Sequence, residues 1–280
     1  MLKHKRGVEN VIAFQSKSGF NAINYYVHWD NKTSVYHYEN FLCISIKDNS
    51  YKYFVLNWVL LKIKRRDKSS FIHSHNALMS MMSFFPTDLF TVHDALYYQN
   101  KAVKHRLKNL FYVLEIFLYN RVNYVHFISE YAKKMSLFSS SKNFIIIPNT
   151  SHLEEFKERK QSVEKNRTIA KYQASSIRVF VVRSMEERSR IDLLIKVAAQ
   201  QVANSSFEFI VAGKGPLYDF YIKQIETLNL TNIRLLGYVS DLDLIDYYSS
   251  CDIVLMPAEY GEGFGLPIIE GYLFNKPVIA

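Results

Sequence analysis

Short apolar runs of strand length alternate with longer amphipathic segments along both halves of this chain of 280 residues. Such alternation is typical of parallel β-sheets, because the crossover from one parallel strand to the next is usually a helix. The sequence therefore predicts an α/β protein with two parallel-sheet domains. The first is expected at 1–150 and the second at 177–280, joined by a polar and charged linker at 151–176.

Strands and helices are predicted in turn along both domains. In the first domain the predicted strands are Ala22–His28, Phe41–Ile46, Ser70–His75, Leu89–Asp94, Tyr124–Ile128 and Phe144–Ile147, and the predicted helices are Val8–Ser18, Tyr51–Arg66, Lys101–Arg121 and Ser129–Phe138. In the second domain the predicted strands are Ile177–Val182, Phe207–Ala212, Ile233–Leu236, Asp252–Pro257 and Pro277–Ala280, and the predicted helices are Ile191–Val202, Leu217–Leu228 and Leu242–Ser250. Ligands of such sheets bind at the carboxyl ends of the strands, so polar motifs at those ends mark the expected site.

The segment Glu262–Glu270, EGFGLPIIE, follows an apolar strand and carries two carboxylates separated by seven residues. Its glycines allow a tight turn and close approach to a ligand, and Pro267 suits the start of a helix. Free N–H groups at a helix start favour a phosphate. The pattern indicates a site for a phosphate-bearing ligand whose hydroxyls are bound by the carboxylates. The alternative is a plain loop–helix junction in which Glu270 complements the helix dipole.

Three arginines follow the first strand of the second domain. Arg183 comes directly after the run IRVFVV, where a guanidinium can neutralise a diphosphate. Arg188 and Arg190 come about a turn later and fit the same role, or that of solvated ion-pair partners for neighbouring glutamates. We expect Arg183 to bind the ligand.

Two further motifs at strand ends are less specific. Gly213 and Gly215 follow a strand and precede a helix, which suits close approach to a ligand but is equally typical of a tight turn. Asp241 and Asp243 have the D-x-D spacing that chelates a nucleotide's metal in some transferases. Their position at the start of an expected helix favours helix capping instead.

Histidines end two of the first domain's predicted strands: His73 and His75 end one, and His93 ends the other. Alternate residues of a strand share a face, so a His-x-His pair can hold a metal. A metal site needs three or more converging ligands, and no clear further set is present. We expect these histidines to line a site, with a metal-dependent hydrolase as the alternative.

Positive charge is concentrated in the first domain. Residues 1–150 carry a net charge of +11, and residues 151–280 carry −2. The first domain is therefore expected to meet an anionic partner, either nucleic acid or an anionic membrane surface. No nucleic-acid-binding module is recognisable. The basic helix Lys101–Arg121 is open to two interpretations, a membrane contact or a core-packed helix with a solvated basic side.

Composition places the chain in the cytoplasm. Its two cysteines, Cys43 and Cys251, are far apart and form no disulfide framework. The basic N-terminus lacks the apolar core of a signal peptide, and the longest apolar run, Tyr53–Ile63, is too short to span a bilayer.

Together these motifs resemble the retaining GT-B glycosyltransferases of family 4, the glycosyl transferases group 1. Glu262–Glu270 resembles the family's E-x7-E motif, and other segments follow in the family's order. They are Arg6–Glu9 (RGVE), FIHSHN, FTVHD, FISEYAKK, IIIPNT, VAGKGP and LLGYVSDLDLIDYY. The resemblance covers nearly the whole chain.

The resemblance implies two Rossmann-like lobes, of which the second binds a nucleotide-sugar and the first binds the acceptor, with the active site in the cleft between them. The donor-binding roles that it implies are ribose binding by Glu270, sugar and phosphate contacts by Glu262, Phe264 and Gly265, and diphosphate binding by Arg183. Arg188, which is also expected to bind the donor, or Arg190 takes the place of the family's usual lysine. Gly213 and Gly215 are expected near the nucleotide, and Val239 near the base. From the first lobe, His93 would contact the transferring sugar, so His93 and Glu262 are the expected catalytic residues. Gly7 and His75 are expected on the acceptor side, and no metal or other cofactor is expected.

The implied reaction is transfer of a hexose from a nucleotide-sugar, with retention, to a glycan or a polyprenyl- or lipid-linked acceptor. The expected setting is synthesis of cell-surface polysaccharide, lipopolysaccharide or capsule. The protein would work in the cytoplasm or peripherally on the inner face of the membrane, without a nucleic-acid partner.

Three departures from the family pattern leave other functions open. Ser189 stands where the family usually has lysine, and Thr150 stands where it has glycine. The first strand is missing and the chain stops within a strand at Ala280, so truncation at both ends and an incomplete second lobe are expected. The alternatives are a non-catalytic protein that binds a nucleotide-sugar or a partner, and a nucleotide-sugar epimerase.

Overall fold

The chain divides into two compact units, Met1–Asn149 and Thr150–Ala280. The computed structural model describes residues 24–38, 41–93, 108–138, 143–154, 157, 176–202, 206–259 and 262–280. In both units parallel strands are flanked by helices, which confirms the predicted α/β class.

The described part of the first unit contains two sheets. The first has the order β1–β3–β2 and consists of β1 (Asn24–Asp30), β2 (Ser34–Tyr38) and β3 (Phe41–Lys47), with β1 parallel and β2 antiparallel to β3. The second is parallel, has the order β4–β5–β6–β7 and consists of β4 (His73–Ser74), β5 (Thr87–Val92), β6 (Val122–Phe127) and β7 (Phe144–Ile146). The helices are α1 (Lys52–Arg66), α2 (Ala77–Met82), α3 (Lys108–Arg121) and α4 (Glu130–Met135).

The second unit is built on one parallel sheet with the order β10–β9–β8–β11–β12. Its strands are β8 (Ile177–Val182), β9 (Phe207–Ala212), β10 (Ile233–Gly237), β11 (Ile253–Leu255) and β12 (Val278–Ile279). The helices are α5 (Ile191–Gln201), α6 (Tyr218–Thr227), α7 (Asp241–Ser250) and α8 (Leu266–Leu273).

The central strands β8 and β9 are nearly continuous apolar runs because both faces of the sheet are covered. Val181 and Phe209 pack on one face with Ile195 of α5. On the other face, Phe180 packs with Tyr248 of α7. The two clusters hold the carboxyl ends of β8, β9 and β11 in fixed register, and the candidate site lies there.

Several predicted elements of the first unit need correction. The antiparallel strand β2 was not predicted, and the strand predicted at Ser70–His75 is only two residues long in β4. On α3, Leu118 is buried, but Leu110 is exposed. Its Glu115 is buried instead and accepts a hydrogen bond from Leu137 N at 2.8 Å. The predicted helix Val8–Ser18 and the first seven residues of the helix predicted at Lys101–Arg121 lie outside the described residues.

The start of the predicted linker belongs to the second unit. Leu153 is fully buried in the same cluster as Phe180 and Tyr248. Lys157 donates from Nζ to Leu273 O at 2.6 Å. The polar composition of 151–176 hid this packing, because one apolar residue in a charged segment gives no periodic signal.

Both cysteines, Cys43 and Cys251, are free and buried. Within the part of the chain that the structure describes, no helix combines the length and apolar character needed to cross a membrane.

Candidate functional site

The predicted donor-binding residues of the second unit follow three neighbouring strands. Arg183 follows β8, Gly213 follows β9, and the segment from Glu262 follows β11. Because β9, β8 and β11 are adjacent and parallel, their carboxyl ends lie at one edge of the sheet. The structure therefore brings these three motifs to the edge at which α/β sheets bind ligands.

Arg183 and Glu262 form the central ion pair of this edge. Arg183 is 9% exposed, and its Nη1 donates to Glu262 Oε2 at 2.5 Å. Its Nε is buried and has no hydrogen-bond partner among the described residues. A buried guanidinium N–H without an acceptor is costly in a folded protein, so an anionic ligand at this position would satisfy it.

Glu262 also fixes the loop that leads into α8. Its Oε1 accepts a hydrogen bond from Gly265 N at 3.2 Å. Gly265 has φ 78°, and an added Cβ would lie 2.9 Å from Ile268 Cδ1, so glycine is required here. Pro267 stands in the first turn of α8, as the sequence predicts. Glu262 thus ties the loop before α8 to Arg183.

Gly213 and Gly215 are explained by the protein's own backbone. Beyond the ends of β8 and β9 the strands continue to pair, and Arg183 N donates to Ala212 O at 3.0 Å. An added Cβ at Gly213 would lie 1.9 Å from Arg183 O, and one at Gly215 would lie 2.5 Å from Met185 O. These glycines bring the chain close to the Arg183 segment, and their predicted contact with a nucleotide stays a prediction.

Glu270 is 6% exposed and is held by two hydroxyls. Ser151 Oγ donates to its Oε1 at 3.0 Å, and Tyr248 OH donates to its Oε2 at 2.7 Å. Burial raises the pKa of Glu270 above its ordinary value, and the two hydroxyl hydrogen bonds oppose that shift. Glu270 is therefore a fixed acceptor, which suits ribose binding.

The other two arginines of this segment, Arg188 and Arg190, form ion pairs with carboxylates. Arg188 Nε donates to Glu186 Oε2 at 3.2 Å. Arg190 forms a two-point ion pair with Asp192 and lies 3.6 Å from Glu259. The donor-binding role predicted for Arg188 is thus supported less directly than that of Arg183.

The other residues predicted to contact the donor lie in or beside the core of the second unit. Val239 packs against the cluster that contains Phe180, and Phe264 is half-buried in the loop before α8. The D-x-D motif, Asp241 and Asp243, lies in the first turn of α7, and the helix is capped by Ser240, whose Oγ accepts a hydrogen bond from Asp243 N.

Histidines converge at the carboxyl end of the first unit's parallel sheet. His75 Nδ1 lies 2.9 Å from His93 Nε2, and the rings of His73 and His75 lie 4.1 Å apart between centroids. His73 Nε2 lies 2.7 Å from Thr91 Oγ1, which lies 3.0 Å from Nδ1 of the buried His126. Among the described residues, no group of histidines, cysteines or carboxylates is placed to hold a metal ion.

His73, His75 and His93 favour the neutral form. Burial, with a smaller contribution from neighbouring histidines, lowers the pKa of His73 and His93 to about 4 and that of His75 well below its ordinary value. Solvent reaches part of His73 and moderates the effect there. Neutral imidazoles suit an uncharged hydroxyl-bearing ligand. Gly7, predicted on the acceptor side, lies outside the described residues.

Four residues of these two sites were not predicted from the sequence: Ser151, Tyr248, Thr91 and His126. Ser151 lies 119 positions from its partner Glu270, so no local spacing relates the two. Thr91 and His126 stand opposite each other in the pairing of β5 and β6. A polar side chain within an apolar strand is the sequence signal that could have identified Thr91 and His126.

Most of the second unit is similar to a known protein family. Residues 162–280 match the family model Glycosyl transferases group 1. Two curated relatives are similar in sequence. An uncharacterized glycosyltransferase of Methanocaldococcus jannaschii is 32% identical over 90 residues, covering 32% of this chain and 24% of the relative. The D-rhamnosyltransferase WbpZ of Pseudomonas aeruginosa is 25% identical over 87 residues, covering 31% and 23%. The match thus spans about a quarter of each relative.

Solved structures match over more of the chain. The sucrose-phosphate synthase of Thermosynechococcus elongatus has a TM-score of 0.73 at 17% identity, covering 98% of this chain and 74% of that protein. WaaG, a glycosyltransferase involved in lipopolysaccharide biosynthesis, has a TM-score of 0.63 at 14% identity, covering 97% and 75%. Anabaena HepE in complex with UDP has a TM-score of 0.59 at 18% identity, covering 86% and 67%. These likenesses confirm the predicted GT-B fold.

Proposed function

We propose that this protein is a retaining glycosyltransferase that transfers a hexose from a nucleotide-sugar to a glycan or lipid-linked acceptor. The observation that carries the proposal is the buried Arg183, whose Nε has no partner among the described residues. It stands at the end of β8 with Glu262, within the segment that matches the glycosyl transferase model. HepE, which shares the fold, was solved with UDP.

In the proposed reaction the leaving group is a nucleoside diphosphate. Arg183 and the positive end of the α8 dipole stabilise its developing negative charge, so we propose that no metal ion is needed. Glu270 binds the ribose hydroxyls and Glu262 the donor sugar. Arg188, Phe264 and Gly265 complete the contacts to the diphosphate and sugar, and Val239 contacts the base. From the first unit, His93 contacts the transferring sugar and His75 the acceptor.

The proposal is tested by thermal unfolding of the protein with a panel of nucleotide-sugars and with the free sugars alone. A ligand that binds only the folded state raises the melting temperature, by several degrees when its concentration is far above its Kd. We expect at least one nucleotide-sugar to do so and free sugars to have little effect. If none of the nucleotide-sugars raises the melting temperature, the proposed function is wrong.

A second candidate function is nucleotide-sugar binding without transfer. It is favoured by Ser189, which is buried in the turn between Arg183 and α5 and stands where the family usually has lysine. A nucleotide-sugar that raises the melting temperature is then tested for release of its nucleoside diphosphate. Steady release supports transfer or hydrolysis, whereas tight binding with no release supports the non-catalytic function.

We also propose that the first unit contacts an anionic membrane surface on the cytoplasmic side, where a lipid-linked acceptor is carried. Exposed large apolar residues stand on α1 and at its N-cap, namely Tyr51, Phe54, Trp58 and Leu61. Phe54 is 73% exposed and Trp58 is 51% exposed, which is unusual for large apolar residues one to two turns apart. The ammonium of Lys62 lies 3.8 Å from the centre of the Trp58 ring.

Hydrogen bonds tie α1 and α3 to a neighbouring turn that carries another exposed aromatic residue. Asn57 of α1 donates to Met82 O and accepts from Phe84 N, and Phe84 is 80% exposed. Arg121 at the end of α3 donates to Ser83 O at 2.7 Å. Exposed apolar residues also stand on α3, namely Leu110, Tyr112, Val113, Ile116 and Phe117. Aromatic residues beside basic ones suit the headgroup region of an anionic bilayer.

Replacing Phe54 and Trp58 together with glutamate is expected to weaken binding to phosphatidylglycerol vesicles by at least about tenfold, because two apolar contacts are lost and two negative charges are added. Vesicle co-sedimentation at low salt measures the effect. The control is Phe220→Glu, which alters an exposed aromatic residue on α6 of the second unit.

The chain has two tryptophans, so a Trp29→Phe variant leaves Trp58 as the only fluorescent indole. Its emission should shift to the blue on addition of these vesicles. Unchanged emission, or equal binding by the double variant and the wild type, would contradict the membrane proposal while leaving nucleotide-sugar binding to be judged separately.

A further inference from the structure

A chain of hydrogen bonds crosses the carboxyl end of the first unit's parallel sheet. It begins at Ile147 O, which lies 2.8 Å from His126 Nε2. It continues from His126 Nδ1 to Thr91 Oγ1 and from Thr91 Oγ1 to His73 Nε2. The chain thus joins β4, β5 and β6 to the residue after β7, and both Thr91 and His126 are buried.

The chemistry of the groups sets the direction of every bond in this chain. A carbonyl oxygen only accepts, so neutral His126 must carry its proton on Nε2 and leave Nδ1 as an acceptor. Thr91 has one hydroxyl hydrogen, which it donates to His126 Nδ1. Its oxygen then accepts from His73, so His73 must carry its proton on Nε2.

This direction leaves Nδ1 of His73 with a free lone pair. Among the described residues, His73 Nδ1 has no hydrogen-bond partner, and the His73 side chain is partly exposed. The neighbouring ring of His75 is itself bonded to His93. The exposed end of the chain is therefore a hydrogen-bond acceptor beside the two histidines proposed to contact sugars.

We propose that Thr91 and His126 are positioning residues that hold His73 as its Nε2–H tautomer and so present Nδ1 as an acceptor for a sugar hydroxyl. The inference rests on the proposed function, because it takes the ligand of the first unit to be a polyhydroxylated acceptor. A neutral imidazole acceptor favours a hydroxyl hydrogen and disfavours an anion. The low pKa of His73 keeps that acceptor available at neutral pH.

The test is nitrogen NMR of the whole chain labelled at its nine histidines, with His73 assigned by a His73→Gln variant. The wild type is expected to show the proton of His73 on Nε2, and added glucose is expected to shift the Nδ1 signal. In Thr91→Val the hydroxyl is lost, so His73 should become a mixture of tautomers. The apparent affinity of the Thr91→Val protein for glucose should fall about fivefold, which is the effect of losing one hydrogen bond. Thr91→Ser should restore both properties.

Thr87→Val is the matched control. Thr87 lies on the same strand, is equally buried and bonds through its hydroxyl to Ser80 Oγ at 2.6 Å. It should lower the melting temperature much as Thr91→Val does, and leave the His73 tautomer and the glucose response unchanged.

A proton on His73 Nδ1 in the wild type, or a glucose response that is absent or unaffected by Thr91→Val, would overturn the inference. Nucleotide-sugar binding is measured on the same samples by thermal unfolding. Its absence would contradict the proposed function, whereas the NMR result alone decides the tautomer.

Discussion

Replacing Arg183 with methionine is expected to weaken binding of a nucleotide-sugar by about 100-fold or more. Methionine keeps the apolar packing of the side chain but removes the charge. A buried charged contact to a ligand is commonly worth several kcal/mol, and its loss would also leave Glu262 facing the donor phosphates without a counter-charge. The measurement is titration calorimetry with the nucleotide-sugar identified by thermal unfolding.

Arg178→Met is the matched control for this variant. Arg178 lies on the same strand, β8, and also pairs with a carboxylate, with its Nε 3.5 Å from Asp252 Oδ2. It stands at the opposite end of the strand from the proposed site, so its replacement should leave the Kd unchanged. Equal affinities for Arg183→Met and Arg178→Met would remove Arg183 from the donor site.

Replacing Gly213 with alanine is expected to destabilise the second unit by at least about 3 kcal/mol, or to prevent its folding. The added Cβ would lie 1.9 Å from Arg183 O, and the residue has φ 134°, which side chains rarely adopt. Backbone atoms cannot move aside as a flexible side chain can, so overpacking and backbone strain add. Urea unfolding followed by circular dichroism measures the loss.

Gly237→Ala provides the comparison. Gly237 also has positive φ, 70°, but its added Cβ would meet side-chain atoms instead of backbone, Lys214 Cε at 3.3 Å and Tyr218 OH at 3.4 Å. We expect a loss of about 1 kcal/mol, mostly from the backbone conformation. If both variants unfold at the same urea concentration, the contact between Gly213 and the Arg183 backbone is not the reason for glycine at this position.

Much of the fold could be predicted because the alternation of apolar strand segments with amphipathic helix segments is a local property of the sequence. The apolar runs of β8 and β9 are nearly continuous, and buried parallel strands leave that pattern in any sequence. Strand β2 was missed because the polarity of SVYHY does not follow its burial: the apolar Val35 is 64% exposed, whereas the polar Ser34 is half-buried. The strand also pairs only with β3. Such a strand forms because it pairs with a distant segment of the chain. The pattern of residues within the strand does not reveal that pairing.

The candidate site was predictable to the extent that its residues lie in one short motif. Glu262 and Glu270 were found from their spacing, with the glycine and proline between them. Ser151 and Tyr248 were not, because they approach Glu270 only through folding. The same holds for Thr91 and His126, which are joined by strand register and carry no motif of their own.

The two hydroxyls on Glu270 have a consequence for the choice of nucleotide. A carboxylate has about four acceptor positions, two on each oxygen. Ser151 uses one position on Oε1 and Tyr248 uses one on Oε2, so among the described residues one position remains on each oxygen. The vicinal diol of a ribose has two hydrogens to donate, one for each position. A 2′-deoxynucleotide has one fewer and would leave a buried acceptor unfilled. With Glu270 as the proposed ribose-binding residue, we therefore expect ribonucleotide donors to bind more tightly than their deoxy counterparts.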